Sequence, residues 1–448
     1  MMDTLEHLTE ALLSAAKRAG ADAADALAVS GRSVSVDVLN GALEHAERAE
    51  GVDIGLRVLL GARQATVSAS DTTADTITEM AERAIAMARE APEDDAIGLA
   101  SAEQLSKWRD GTGLELADPA PEPDPADLKH DALRAEAAAL AVAGVAQVQG
   151  ASAGYSAEAL HLATSAGFSG GYARTGRSTS CVAISGEGLS MERDYAGESR
   201  TFQSDLPPAD EIGHRAGTRA VARIGAKKPP SGAFPVLFDE RISASLIGHL
   251  LAAINGSSIV RGASWLRDSL GQQILPAGLT LTENPHRKRI PGSRPFDGEG
   301  LATKPRDIIA DGILTGWTLD LATARRLGMT STANARRGTS SAPTPSAGNV
   351  ALTQGNISRE GLIAEMATGL IVTGLIGASI NPTTGDYSRG ASGFWVENGE
   401  ITGPVNECTI AGNLHEMLHS LRPANDARVH LSRVIPSLLV EGLTIAGA

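Results

Sequence analysis

The stretch from Ala91 to Pro125 constrains the architecture most. It carries Ala91-Pro92-Glu93-Asp94-Asp95 at its start and Pro119-Ala120-Pro121-Glu122-Pro123-Asp124-Pro125 at its end. Alternate prolines fix φ and remove backbone donors, so neither a helix nor a sheet ladder runs through them. Acidic, proline-rich composition is that of a stiff, extended linker. At 448 residues the chain also exceeds one ordinary hydrophobic core. The expected division is an N-terminal domain over 1–90, a linker over 91–125, a middle domain over 126–230 and a C-terminal domain over 231–448.

Periodicity fills these segments. Leu5, Leu8, Leu12, Ala16 and Ala19 share one helical face, and Gly20 stops the helix. Val34, Val36 and Val38 alternate with polar residues, and 52–59 and 65–68 continue as strands. A second helix is expected over 73–89, capped by Asp71 or Thr72. The middle segment reads as a helix over 126–143 and strands over 145–153, 161–164, 170–177 and 178–186. In the third, glycine-rich segment Ile242, Leu246, Leu250 and Ile254 mark a helix, and Asn398-Gly399 joins two strands as a type I′ hairpin. A short helix over 414–421 has Asn413 as N-cap and Pro423 beyond its end. The class is α+β in three parts: a small α+β domain, a helix with an antiparallel sheet, and a larger sheet-containing C-terminal domain.

The net charge of −14 repels nucleic acid and anionic membranes. Acids at Asp3 and Glu6 stand where a signal peptide needs positive charge, and the apolar run from Gly369 to Ile380 is too short for a membrane span. Two cysteines, Cys181 and Cys408, make no framework. A cytoplasmic protein without nucleic-acid or membrane partners is expected.

One motif carries chemistry outright. His415-Glu416-Met417-Leu418-His419 matches H-E-x-x-H, in which two histidines one turn apart hold zinc and the glutamate acts as base; His430 or Glu441 then offers a third ligand. Against it, Leu414, Met417, Leu418 and Leu421 already give this short helix a burial face, leaving the histidines on another. His249 reads as a packed histidine, and Cys181 and Cys408 as core residues of strands. The turns holding Arg294 and Asp297, and Asn381, Asp386 and Arg389, have two readings. One is turn chemistry with an internal Asp–Arg contact; the other is the lining of a peptide cleft.

Those turns also carry a likeness. Pro295-Phe296-Asp297-Gly298-Glu299-Gly300, the run from Gly385 to Ile401 (GDYSRGASGFWVENGEI), Ala411-Gly412-Asn413-Leu414 and Pro436-Ser437-Leu438-Leu439 resemble signatures of the TldD/PmbA family, on its TldE (PmbA) branch. Ala163 to Gly170 fits the same branch, and only the linker falls outside the likeness. The resemblance implies a three-part fold and a heterodimer with a TldD-like catalytic subunit. In TldD an H-E-x-x-x-H helix and a downstream cysteine hold zinc. Alignment on Arg261-Gly262-Ala263-Ser264 places Ile247, Gly248 and Ala252 at the His, Glu and His positions.

The resemblance thus implies no catalytic residue and no metal in this chain, with zinc in the partner and unfolded peptide as substrate. Arg294, Asp297, Asn381, Asp386 and Arg389 are the peptide-binding candidates. A homodimer in isolation is compatible with this. Two rivals stay open: a zinc peptidase working through His415, Glu416 and His419, and a regulator of another protein, the sense of the family's older description as a modulator of gyrase.

Overall fold

A computed structural model describes residues 2–447, apart from the side chains of Asp3 and Ala378. Helix α1 (Met2–Ala19) leads into strands β1 (Ala23–Leu39), β2 (Ala42–Leu60) and β3 (Arg63–Ala69), followed by α2 (Ala74–Glu90). Thr73, rather than Asp71 or Thr72, caps α2, its side chain accepting from the Thr76 N–H. Asp71 instead accepts from the backbone and hydroxyl of Thr73, bracing the cap from outside. After α3 (Pro125–Leu140) come β4 (Val145–Thr164), β5 (Ser169–Ser185), β6 (Glu192–Arg200) and α4 (Ala209–Val221).

These strands form one sheet in the order β3-β2-β1-β4-β5-β6, with β1 pairing antiparallel to β4 from Asp25↔Thr164 to Val38↔Ala151. The N-terminal and middle segments therefore share a single sheet across the intervening stretch. Strand period decides its two faces. Ala24, Ala26, Ala28, Ile54, Leu56 and Val58 pack under α1 and α2, while Val34, Val36 and Val38, on the same face, pack under α3 and α4. Leu27, Val29, Leu160, Leu162 and Tyr172 point the other way, into a cluster with Phe168 and Phe296.

Two expectations need correction. The four short middle strands are two long ones, because Ser156 to Ala159 and Ser178 continue a ladder that their small, polar side chains conceal. Residues 91–125 are irregular, yet Leu114 and Leu116 are buried in the cluster with Phe168, and Ala100 packs on Leu301. The stretch is a strap fastened between the sheet and the C-terminal part.

The C-terminal part begins with β7 (Gly232–Phe238) and α5 (Glu240–Ala253). Further on, β8 (Gly369–Ile380), β9 (Asp386–Glu397), β10 (Glu400–Asn413), α6 (Leu414–His419) and β11 (Leu438–Ala446) complete it. The order β10-β9-β8-β7-β11, with a further β10–β11 pairing, closes five strands into a barrel. Val236, Phe238, Leu370 and Val440 share one core with Leu246, Ile247 and Leu250 of α5, whereas Leu237, Ile371 and Leu439 face a second cluster. The hairpin turn has φ of 54° at Asn398 and 78° at Gly399, as a type I′ turn requires. A second, five-stranded sheet of short strands packs on the same core. Among the described residues no helix is long and apolar enough to cross a membrane.

Candidate functional site

A cavity of about 650 Å³ lies between the sheet face opposite the helices and the C-terminal part. Leu27, Leu160 and Leu162 form its sheet wall, and Phe296, Arg294 and Arg337 belong to the facing wall. Its volume is within the range of small-ligand sites.

The facing wall is held by charge. Asp25 on β1 sits opposite Arg57 on β2 in the ladder, and the Arg57 Nε donates to its carboxylate at 2.8 Å. Arg337 donates to the other oxygen of Asp25. Burial would raise the Asp25 carboxyl, but the Arg337 and Arg57 charges outweigh it and hold the group below its ordinary range. The Thr339 carbonyl, two residues on, rests over Gly55 of β2, 2.1 Å from where a Cβ would stand. Only glycine admits that approach. Sequence reasoning missed Asp25, Arg57 and Arg337, because nothing local marks a pair 312 residues apart.

The five candidate residues divide between two places. Arg294 and Asp297 line the cavity. Asp297 is buried, and its oxygens accept the backbone N–H groups of Glu299, Leu301 and Ala335 at 2.9, 2.9 and 3.0 Å. Burial raises its pKa, and still more that of Glu299, which is further raised by the neighbouring Asp297 charge. Asn381, Asp386 and Arg389 lie instead around the start of β9. The Asn381 Oδ1 accepts from the Thr383 N–H at 2.9 Å, Asp386 accepts from the Thr384 hydroxyl at 2.6 Å, and the Arg389 Nε donates to the Gly377 carbonyl at 2.7 Å. No direct Asp–Arg hydrogen bond is seen within either turn among the described residues, although the Arg294 charge acts on Asp297.

The H-E-x-x-H segment forms a six-residue helix, α6. The His415 Nε2 lies 2.9 Å from the Trp265 carbonyl and so donates to it, with the two rings edge to face at 4.8 Å. Glu416 and His419 are exposed. His430 stands elsewhere, 3.5 Å from Glu198. Among the described residues no three His, Cys, Asp or Glu side chains gather as a metal site would need.

On α5, Ile247 is fully buried in the core and Ala252 is exposed. The Arg433 Nη1 lies 3.2 Å from the point where Gly248 would carry a Cβ. His249 packs edge-on to Tyr387 at 5.9 Å, and burial lowers its pKa while pushing the Tyr387 hydroxyl up to about 12.

Three family models match in order: PmbA/TldA metallopeptidase domain 1 over 24–88, the central domain over 118–224 and the C-terminal domain over 231–447. The metalloprotease PmbA of Escherichia coli O157:H7 is 36% identical over 98% of this chain and 96% of its own. The chain belongs to the TldD/PmbA metallopeptidase family. The TldD homolog of Haemophilus influenzae matches at 26% over only 46% of this chain and 44% of its own. A crystal structure from Bacteroides thetaiotaomicron superposes with a TM-score of 0.91 at 29% identity, covering 99% of this chain and 98% of that one. TldE of Thermococcus kodakarensis shares the fold, with a TM-score of 0.84 at 22% identity, over 98% of this chain and all of that one.

A zinc ion is what a metallopeptidase family implies, and the α5 side chains do not fit one. Ile247 and Ala252 offer hydrocarbon, and Gly248 offers no side chain at all. At α6, one histidine is engaged with a carbonyl and the other is exposed without a third donor beside it.

Proposed function

We propose that this chain is the non-catalytic subunit of a TldD/TldE-type zinc metalloprotease. It completes the complex and helps to hold unfolded or extended peptide, while a TldD-like subunit supplies zinc and hydrolysis in the cytoplasm. The observation that carries the reading is the donor set of α5: Ile247, Gly248 and Ala252, none able to ligate a metal or to serve as base.

Two further features support it. The cleft offers an apolar wall opposite a cationic one, which suits a peptide better than a nucleic acid. Residues 42–51 of β2 are all exposed, and β3 pairs with β2 only from Ile54 onward. That unpaired strand edge is a surface to which a partner's strand can add.

The test is zinc content by mass spectrometry on the purified chain, beside His419→Ala. The reading expects far less than one zinc per chain in both. About one zinc per chain, lost in the variant, overturns it in favour of a second metal site.

A further inference from the structure

We infer that the cleft holds a peptide carboxylate, gripped by Arg294 and Arg337, with the adjoining apolar side chain laid on Leu27, Leu160 and Leu162. This rests on the reading that the chain binds peptide, and it assigns what part of the peptide is bound and by which atoms.

Two arginines on the cavity carry buried guanidinium nitrogens with no hydrogen-bond partner. The Arg337 side chain is 2% exposed. One of its terminal nitrogens donates to Asp25, but Nε and the other terminal nitrogen are buried without a hydrogen-bond partner. Asp25 cannot satisfy them, because it also serves Arg57 through two bonds. The Arg294 Nε is likewise buried and unpartnered, and its Nη2 makes only a long bond of 3.4 Å to the Ser346 carbonyl.

Leaving such donors dry costs about 1–3 kcal/mol each, more for charged groups. Arg174, on the same cavity, shows the contrast: its guanidinium is spent on the carbonyls of Pro291 and Ser293. A carboxylate is the complement of a guanidinium edge, accepting two parallel N–H groups.

The rest of the cavity narrows the ligand. Leu27, Leu160, Leu162 and Phe296 give it an apolar wall. Asp53 and Glu158 line it too but are exposed, and the buried Asp297, beside Arg294, has its oxygens taken up by the backbone N–H groups of Glu299, Leu301 and Ala335. A ligand with one carboxylate beside one hydrocarbon side chain fits, and a polyanion does not. A peptide's C-terminal residue has this form, and so does an acidic side chain next to an apolar one.

The test uses the full chain and fluorescence anisotropy with three labelled pentapeptides. One is tetra-alanine ending in leucine as the free acid, the second is its C-terminal amide, and the third is that amide with aspartate in the fourth position. The free acid is expected to bind about tenfold more tightly than the amide, the scale of one charge-assisted pair. Arg294→Gln and Arg337→Gln should each bring the ratio close to one. Tight binding of the aspartate amide as well assigns the same site to side-chain carboxylates. Arg337→Gln strands Asp25 and risks unfolding, so Arg294→Gln, outside that ion pair, decides the matter. Equal binding of acid and amide, unmoved by Arg294→Gln, overturns the carboxylate site and leaves peptide binding standing. Failure of all three to bind overturns the peptide reading together with it.

Discussion

Asp25 and Arg337 form a buried ion pair that joins the N-terminal sheet to the C-terminal part, each side chain 2% exposed. Removing one partner of such a pair strands a charge in low dielectric. Asp25→Asn leaves two guanidiniums facing each other, and a loss of about 3 kcal/mol or more is expected in urea unfolding. Because the folded carboxyl titrates below its ordinary value, its contribution is complete above that range and fades as pH falls through the folded pKa. The gap between wild type and variant should therefore close in acid; a gap independent of pH contradicts the assignment.

Glu299 has the opposite sign. Its folded pKa is raised by burial and by Asp297, so ionising it costs stability as pH climbs from the ordinary carboxylate range towards the raised value. Glu299→Gln, which keeps an acceptor for the Leu321 N–H now bonded at 2.9 Å, should stabilise the protein at pH 8 by about 1 kcal/mol. At pH 4 the gain should vanish. Thermal melts at the two pH values decide it, and destabilisation at pH 8 counts against a neutral Glu299.

Gly55→Ala places a methyl 2.1 Å from the Thr339 carbonyl. The loop carrying Arg337 must then lift from β2, at a cost of about 1–3 kcal/mol typical of overpacking. Faster proteolysis between Arg337 and Ala342 is the expected accompaniment. Unchanged stability and cleavage place that loop elsewhere.

Burial pushes the thiol of Cys181 up to about 12 and that of Cys408 to about 11. Neither should react with an aromatic disulfide reagent at pH 8 until the protein is unfolded, when both should. Rapid labelling of the native chain contradicts their place in the core.

How much of this was legible depended on where the determining forces lie. The Asn398-Gly399 hairpin, the α5 stripe and the Asn413 cap are local, set by φ requirements and helical period, and the structure places them as the sequence implies. Helix α4 was not among the expected elements, and Gly213 and Gly217, poor helix formers, stand inside it. In the fold they bring α4 against α3, with the Ala135 carbonyl 1.9 Å from where a Cβ on Gly213 would be. The common sheet was hidden because alternation in β1 gives its two faces and not its neighbour; β4 lies a hundred residues on. Leu114 and Leu116 were masked by the prolines around them, although both are buried.

The candidate site divided in the same way. Arg294 and Asp297 were found through their turn, but Arg337, which lines the same cavity, is held there by Asp25 behind it, a pairing that only the tertiary fold creates. The H-E-x-x-H match is real as a sequence, yet helix α6 ends at His419 with the Trp265 carbonyl taking up His415.

The most direct test of the account is peptide hydrolysis by this chain alone, by a TldD-like subunit alone and by an equimolar mixture, with and without a zinc chelator. The account predicts no hydrolysis by this chain alone, and chelator-sensitive hydrolysis by the mixture exceeding that of the TldD-like subunit. Chelator-sensitive hydrolysis by this chain alone contradicts it.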